Sequence, residues 1–494
     1  MQTLQIILIF LSFAGLTLLM VTRLLPALLA LPLLAVLLAL AGGVPLNYVL
    51  EYVVGGGPAK LSGAYVVALF GGMLGAILQK TGVAENFIKK GAELSGDNPW
   101  LISVTMLVLI ILLFSTLGGL GAIIMVATIV LPVLVSVGVG PLTTVGIFLL
   151  GISIGGTLNV GNWALYTEVM KLKPEQVRPF ALIIFAIVFA LALVYITVQL
   201  WRDGHDLNFK KLAINGAGVL AFGAGAVALW GLGLSNELRL LIMGGLGNVF
   251  MALQWGVGAG LLALLGLVGY RATQGQNHKG EVHWSAFLGP VLPLILILLY
   301  NVNFVAAFVV GLLYVFLATW RKGHLNVLIQ SCLEGSAMVM PAVILMFGIG
   351  MILIAIMGPG GDLPKEAFPN GWPVLKLIQP LVQAIIPKHP LVYVLMFSLL
   401  APLALYRGPL NLWGMGFGLA TVFLAAGLPP TAVMGLLMSV GQVQGISDPT
   451  NTQNVWLANE MRVDVQKVLW NTLPYAWGAA SLGLMASASL YLRG

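Results

Sequence analysis

Ser447-Asp448-Pro449-Thr450-Asn451-Thr452-Gln453-Asn454 interrupts an apolar segment, Ala432 to Ala458, that is long enough to cross a bilayer. Hydrocarbon holds no water, so backbone released from a helix there must be buried in protein or line a wet cavity. Pro449 lacks a backbone donor and disfavours helix at the residue before it. An acid, amides and hydroxyls gathered at such a break are how secondary transporters build ion and substrate sites at mid-membrane depth. A polar extramembrane loop between two short helices is the competing reading, and a second segment of the same kind weighs against it.

The composition agrees with a membrane chain. Of 494 residues, 60% are hydrophobic and 8% charged, against about 25% charged in a soluble domain, and the mean hydropathy is +1.03. An all-α polytopic membrane protein follows, with a bacterial inner (plasma) membrane as its expected location. The net charge of +7 fits an excess of Lys and Arg in cytoplasmic loops, not a nucleic-acid footprint. The lone Cys332 and five scattered histidines leave no disulfide framework and no metal-ligand spacing. No cofactor is expected beyond a coupling sodium ion or proton, and no enzyme activity. Met1 to Met20 lacks a basic n-region and a small-residue cleavage site, so it reads as a retained first helix.

Apolar runs of about 20 residues mark crossings. They fall near 3–22, 25–53, 61–79, 143–166, 180–200, 212–233, 240–269, 285–300, 303–320, 331–357 and 473–491. A charged amphipathic segment occupies 80–98, and charged or polar loops are expected at 168–178, 202–211 and 271–283. A Pro/Gly-rich loop is expected at 358–388. The run 99–136 is broken at Ser115-Thr116-Leu117-Gly118-Gly119-Leu120-Gly121 into halves too short to span, which predicts a re-entrant helical hairpin. The run 390–424 is split in the same way, and 143–166 is interrupted by Gly155-Gly156-Thr157-Leu158-Asn159-Val160-Gly161-Asn162.

Sliding the chain on itself by 291 sets Pro99 on Pro390 and Glu168-Val169-Met170-Lys171 on Asn459-Glu460-Met461-Arg462. Small slips bring the polar break at 155–162 onto that at 447–454. Two units are therefore expected, 1–202 and 285–494, joined by a linker, 203–284, with two helices of its own. Counting through the linker puts Arg202, Lys210, Lys211, Arg271, Lys279, Arg321 and Lys322 on one face. That face is cytoplasmic by the positive-inside rule, and the second unit is then inverted relative to the first, provided 240–269 crosses once. The whole would have about 12 crossings plus two hairpins.

This order of hairpin and broken helix, twice over in opposite senses, resembles the ion transporter superfamily, which includes divalent-anion/sodium symporters, citrate carriers and gluconate permeases. The resemblance covers most of the chain outside 203–284. Asp448-Pro449 is similar to the Asp-Pro in the final broken helix of the gluconate-permease type. The divalent-anion branch has Ser-Asn-Thr at both hairpin tips. This chain departs from it with Ser115-Thr116-Leu117 at one tip and Arg407-Gly408-Pro409-Leu410-Asn411 at the other. The resemblance implies a homodimer that carries its substrate by an elevator-like motion.

Arg407 is the sharpest single residue, since an Arg in an apolar hairpin normally faces a cavity with a partner. Its guanidinium matches a carboxylate bidentately, so a substrate carboxylate or a fixed bridge to Asp448 is expected. Asp448 suits a sodium ligand, a proton carrier or that static partner, with Ser447, Thr452 and Asn454 beside it as coupling-ion ligands. Ser115, Thr116, Gly118 and Gly119 at the first tip offer hydroxyls and backbone N–H groups to an anion. Thr157, Asn159 and Asn162 at the first break, Gly408 and Asn411 at the second tip, and Thr450 and Asn451 at the second break complete the expected substrate site. Glu168 and Glu460 read as solvated loop residues, and Trp163, Trp413 and Trp456 as cavity walls or interfacial anchors. The expected function is cation-coupled symport of a small organic acid, with cation or inorganic-anion transport on the same fold as the alternative. Lipid is the only other partner expected.

Overall fold

The computed structural model describes residues 2–22, 24–206, 236–274, 282–321, 324–364, 366–387 and 389–492. Among them every regular element is helical. An apolar run can satisfy its own backbone only by coiling, which is why the hydropathic segments fold this way. Among the described residues seven helices are long and apolar enough to cross a membrane: Gln2–Met20, Leu46–Lys80, Pro141–Leu158, Pro174–Arg202, Phe250–Thr273, Leu325–Met357 and Pro390–Arg407.

Helices α1 (Gln2–Val21) and α2 (Ala27–Ala41) open the chain. The crossing expected over 25–53 stops at Ala41, because Gly42 caps α2 and Gly43 turns the chain at φ +88°, where a side chain would be strained. The chain coils again from Leu46, through a π-turn at Val49–Gly56 and a 3-10 turn at Pro58–Leu61, into α3 (Ser62–Lys80). The amphipathic segment is α4 (Val83–Ser95).

Next, α5 (Pro99–Phe114) and α6 (Leu120–Ser136) form the first hairpin. Its tip is no surface turn: Ser115, Thr116 and Leu117 are buried, and the Thr116 hydroxyl donates to the Pro290 carbonyl at 2.8 Å. The first broken helix is α7 (Pro141–Leu158) and α8 (Val160–Met170), followed by α9 (Pro174–Arg202). The loop expected at 168–178 shrinks to 171–173, since left-handed Lys171 turns α8 directly into Pro174. Glu168 therefore sits on a helix, half-buried and 3.6 Å from Lys171.

The segment 240–269 lies within one unbroken helix, α10 (Asn236–Gln274). The helix expected at 212–233, and Lys210, Lys211, Lys279 and Lys322 used to orient the chain, lie outside the described residues. The crossing expected at 285–300 is instead a 3-10 turn (Trp284–Leu288) and a nine-residue α11 (Leu292–Tyr300). Gly289-Pro290 divides them, the proline lacking the donor a continuous helix would need.

Helices α12 (Phe304–Ala318) and α13 (Leu325–Met357) follow. In the expected loop 358–388, α14 (Pro373–Ile385) forms, with Pro373 at its first turn, where no donor is required. The second hairpin comprises α15 (Pro390–Leu400), a 3-10 turn to Arg407, a π-turn at Leu412–Gly416 and α16 (Phe417–Ala425). The second broken helix is α17 (Pro430–Ser447) and α18 (Thr452–Glu460), and α19 (Val465–Tyr491) follows it.

Elements of one kind thus recur in one order. Surface helices α4 and α14 have 13 residues each, and α7 and α17 have 18 each. Long helices α9 and α19 have 29 and 27. Left-handed Lys171 and Arg462 end the two broken helices.

Without a hydrophobic drive between helices in lipid, close backbone approach carries much of the packing. Helix α3 and the turns before it run antiparallel to α13, with Gly72 on Gly335 and Gly57 on Gly350. A Cβ at Gly335 would fall on the Gly72 carbonyl oxygen, an overlap that no rotamer relieves. Gly335→Val is expected to cost about 3 kcal/mol or more, seen as a lower thermal unfolding midpoint in detergent. Gly15→Ala, where a Cβ meets nothing, should leave that midpoint in place.

Candidate functional site

A cavity of about 890 Å³ opens where the two hairpin tips meet the two helix breaks. The broken helices touch at its wall: the Ser153 hydroxyl of α7 donates to Gln442 Oε1 of α17 at 2.8 Å, and both residues line the cavity.

Each break must satisfy the carbonyls that its helix end leaves without partners. On α7, the Asn162 amide nitrogen takes the Gly156 carbonyl and the Trp163 indole takes that of Thr157. On α17, the Asn451 amide takes the Gln444 carbonyl and the Asn454 amide that of Ile446. The polar residues of the breaks therefore replace or supplement the helix-end backbone bonds, since the Gly156 and Gln444 carbonyls still accept from the Asn159 and Asp448 N–H groups at 3.3 Å. Among the described residues, Asn454 Oδ1 is buried with no partner.

The break residues also hold the hairpin tips, with opposite polarity. Asn159 caps α8 by accepting from the Gly161 N–H, while its amide nitrogen donates to the Phe114 and Leu117 carbonyls at 3.1 Å each. Asp448, fully buried, accepts instead. Its Oδ1 receives the Tyr406 N–H (3.1 Å), the Thr450 N–H (2.9 Å) and the Thr450 hydroxyl (2.7 Å). Its Oδ2 receives the Arg407 N–H (3.3 Å) and the Asn411 amide (3.2 Å). Consecutive Tyr406 and Arg407 are left-handed at φ +54° and +56°, a conformation that costs roughly 1–2 kcal/mol per side-chain-bearing residue. The carboxylate offsets that strain.

The guanidinium of Arg407 is not bridged to Asp448, which meets this residue through its backbone. Arg407 lines the cavity half-buried, and among the described residues no carboxylate pairs with it. Helices α6 and α18 begin at Gly119 and Asn451 without a side-chain cap, so their first N–H groups, beside lining residues Gly119, Leu120 and Thr452, add partial positive charge.

Thr116, Gly118, Gly119, Thr157, Asn159, Asn162, Arg407, Asn411, Thr450, Asn451 and Thr452 all line this one cavity, as do Trp163 and Trp413. Ser115, Gly408, Ser447, Asp448 and Asn454 lie behind its wall: Ser115 bonds the Leu112 carbonyl and Ser447 bonds the Thr472 hydroxyl. Sequence reasoning missed Ser153, Gln442, Gln444 and Gln453. Gln444 had a signal, being a second glutamine two residues after Gln442 in an apolar helix; its Oε1 accepts the Leu412 N–H at 2.8 Å beside the second tip. Ser153 is one hydroxyl in an apolar run and had none.

No protein-family model matches the chain, and no curated protein matches it. Among solved structures it is similar to the Alcanivorax borkumensis YdaH transporter, whose crystal structure is described as revealing an unusual topology. The likeness covers 90% of this chain and 88% of that one, at 15% identity and a TM-score of 0.51. Over that length, this chain shares the fold of the YdaH transporter.

Proposed function

We propose that the protein is a secondary active transporter for a small organic carboxylate anion, coupled to protons or sodium. The observation that carries the reading is Arg407, a cation unpaired among the described residues, on a cavity enclosed by both hairpin tips and both helix breaks. Two uncapped helix N-termini beside it also favour an anion. A cation exchanger on the same fold would need an acid facing the cavity, and the described lining has none.

The reading includes two inverted repeats, 1–202 and 285–494, about a linker at 203–284, and about 12 crossings, more than the seven helices that meet the length rule among the described residues. It is supported by the repeated element order and the paired left-handed residues Lys171 and Arg462. Alternating access is then an elevator motion in a homodimer of the bacterial inner membrane, and the resemblance to the ion transporter superfamily is one of descent. Asn454 Oδ1, a buried acceptor without a partner among the described residues, supports a coupling-ion role for Asn454 together with Asp448, Ser447 and Thr452.

Reconstituted protein should accumulate labelled carboxylates in proteoliposomes under one imposed gradient, sodium or pH, and not without it. Intact protein that moves no acid under either gradient would sink the reading.

A further inference from the structure

The described lining of the cavity has one formal charge, that of Arg407. Its other groups divide by element. Hydroxyls and amides come from the tips and the broken helices, whereas Met20, Val67, Phe308, Met338, Leu345 and Met346 come from α1, α3, α12 and α13. A ligand filling this space meets a polar half with a single cation and an apolar half with no polar side chain.

We propose that the transported anion is a monocarboxylate with an apolar body, aromatic or branched, and not a di- or tricarboxylate. The proposal rests on the carboxylate-transport reading above and narrows it. A second carboxylate would be stripped of water with no second cation to receive it, which makes its entry unfavourable. The helix N-termini at Gly119 and Asn451 each supply at most about half a unit charge, spread over backbone N–H groups and fading within the first turn, so neither equals a second side-chain cation. An apolar body removes its own surface and that of the α12–α13 wall from water together. The size agrees: at about 890 Å³ the cavity is that of sites for ligands well above three or four carbons, which run from about 300 to 1,000 Å³. Methionines on the apolar wall adapt to more than one body shape.

The test is gradient-driven uptake in proteoliposomes of phenylacetate, 4-methylvalerate, acetate, succinate and citrate, compared by Vmax/KM. The expected result is phenylacetate and 4-methylvalerate ahead of the others by at least about tenfold, the ratio of roughly two buried methylenes. Succinate or citrate ahead would overturn the single-charge argument and leave the carboxylate reading standing; acetate level with phenylacetate would overturn the apolar body. Uptake of none would overturn the underlying reading instead.

Two variants extend the test. Phe308→Ala should lower phenylacetate uptake by a larger factor than acetate uptake, while Met338→Arg, adding a second cation, should shift preference toward succinate. An unchanged ranking in both, with each protein monodisperse, would overturn the proposal.

Discussion

Arg407→Gln loses carboxylate uptake by about a hundredfold in Vmax/KM while the protein stays folded. Truncating one partner of a desolvated, hydrogen-bonded charge pair costs about 2–5 kcal/mol, and each 1.4 kcal/mol is about a factor of ten. Glutamine keeps donors and removes charge, so the bound anion remains desolvated without a counter-ion. The fold should not feel the change. Arg407 is held through its backbone N–H by Asp448, and no described carboxylate depends on its side chain. Thermal unfolding in detergent should therefore match wild type. A matched fall in stability would mean that the guanidinium is structural, and full uptake by the variant would remove Arg407 from the site.

Asp448→Ala has the second large effect, and by a different route. It leaves five donors unmatched, three of them on the tip, and each buried group left so costs about 1–3 kcal/mol. Water entering from the cavity recovers part of this, so a net loss of about 3–5 kcal/mol is expected, with left-handed Tyr406 and Arg407 released. Asp448→Asn is informative because both carboxylate oxygens are occupied by donors. An amide nitrogen in the Oδ2 position would face the Arg407 N–H and the Asn411 amide. If the carboxylate clamps the tip, this variant loses both gradient-driven uptake and substrate counterflow, with a lowered unfolding midpoint. If the carboxylate carries the coupling ion, gradient dependence disappears and counterflow persists. The two assays on one preparation separate these roles.

Much of the architecture was legible because lipid imposes strict local rules. Apolar runs became helices, and the breaks at Asn159 and Asp448-Pro449 were visible as polar residues where hydrocarbon tolerates none. The hairpin tips were visible from glycines and from halves too short to span. The missed elements share a cause. Pro373 and Pro380 made α14 look like a loop, yet one sits at the first turn and the other is accommodated inside the helix. At Gly42-Gly43 and Gly289-Pro290 the residues on either side of the break are apolar, so hydropathy ran two elements into one. Which member of each polar run faces the cavity depends on whose carbonyl it must satisfy. Asp448 has the chemistry of an ion ligand, and its neighbourhood of N–H groups, invisible in sequence, turns it to the tip.

The opposed polarity of the two tips also bears on ancestry. If both halves descend from one duplicated unit, they began with the same residue at both breaks. A break that donates to carbonyls and one that accepts from N–H groups cannot interconvert by a side-chain change alone, because the tip must present the other face of its peptide groups. Asn159 meets the end of an ordinary helix at Phe114 and Leu117. Asp448 meets a 3-10 turn that ends in two left-handed residues. On that descent, the acid goes with the re-laid backbone of the arginine-bearing tip, and the neutral amide with the other.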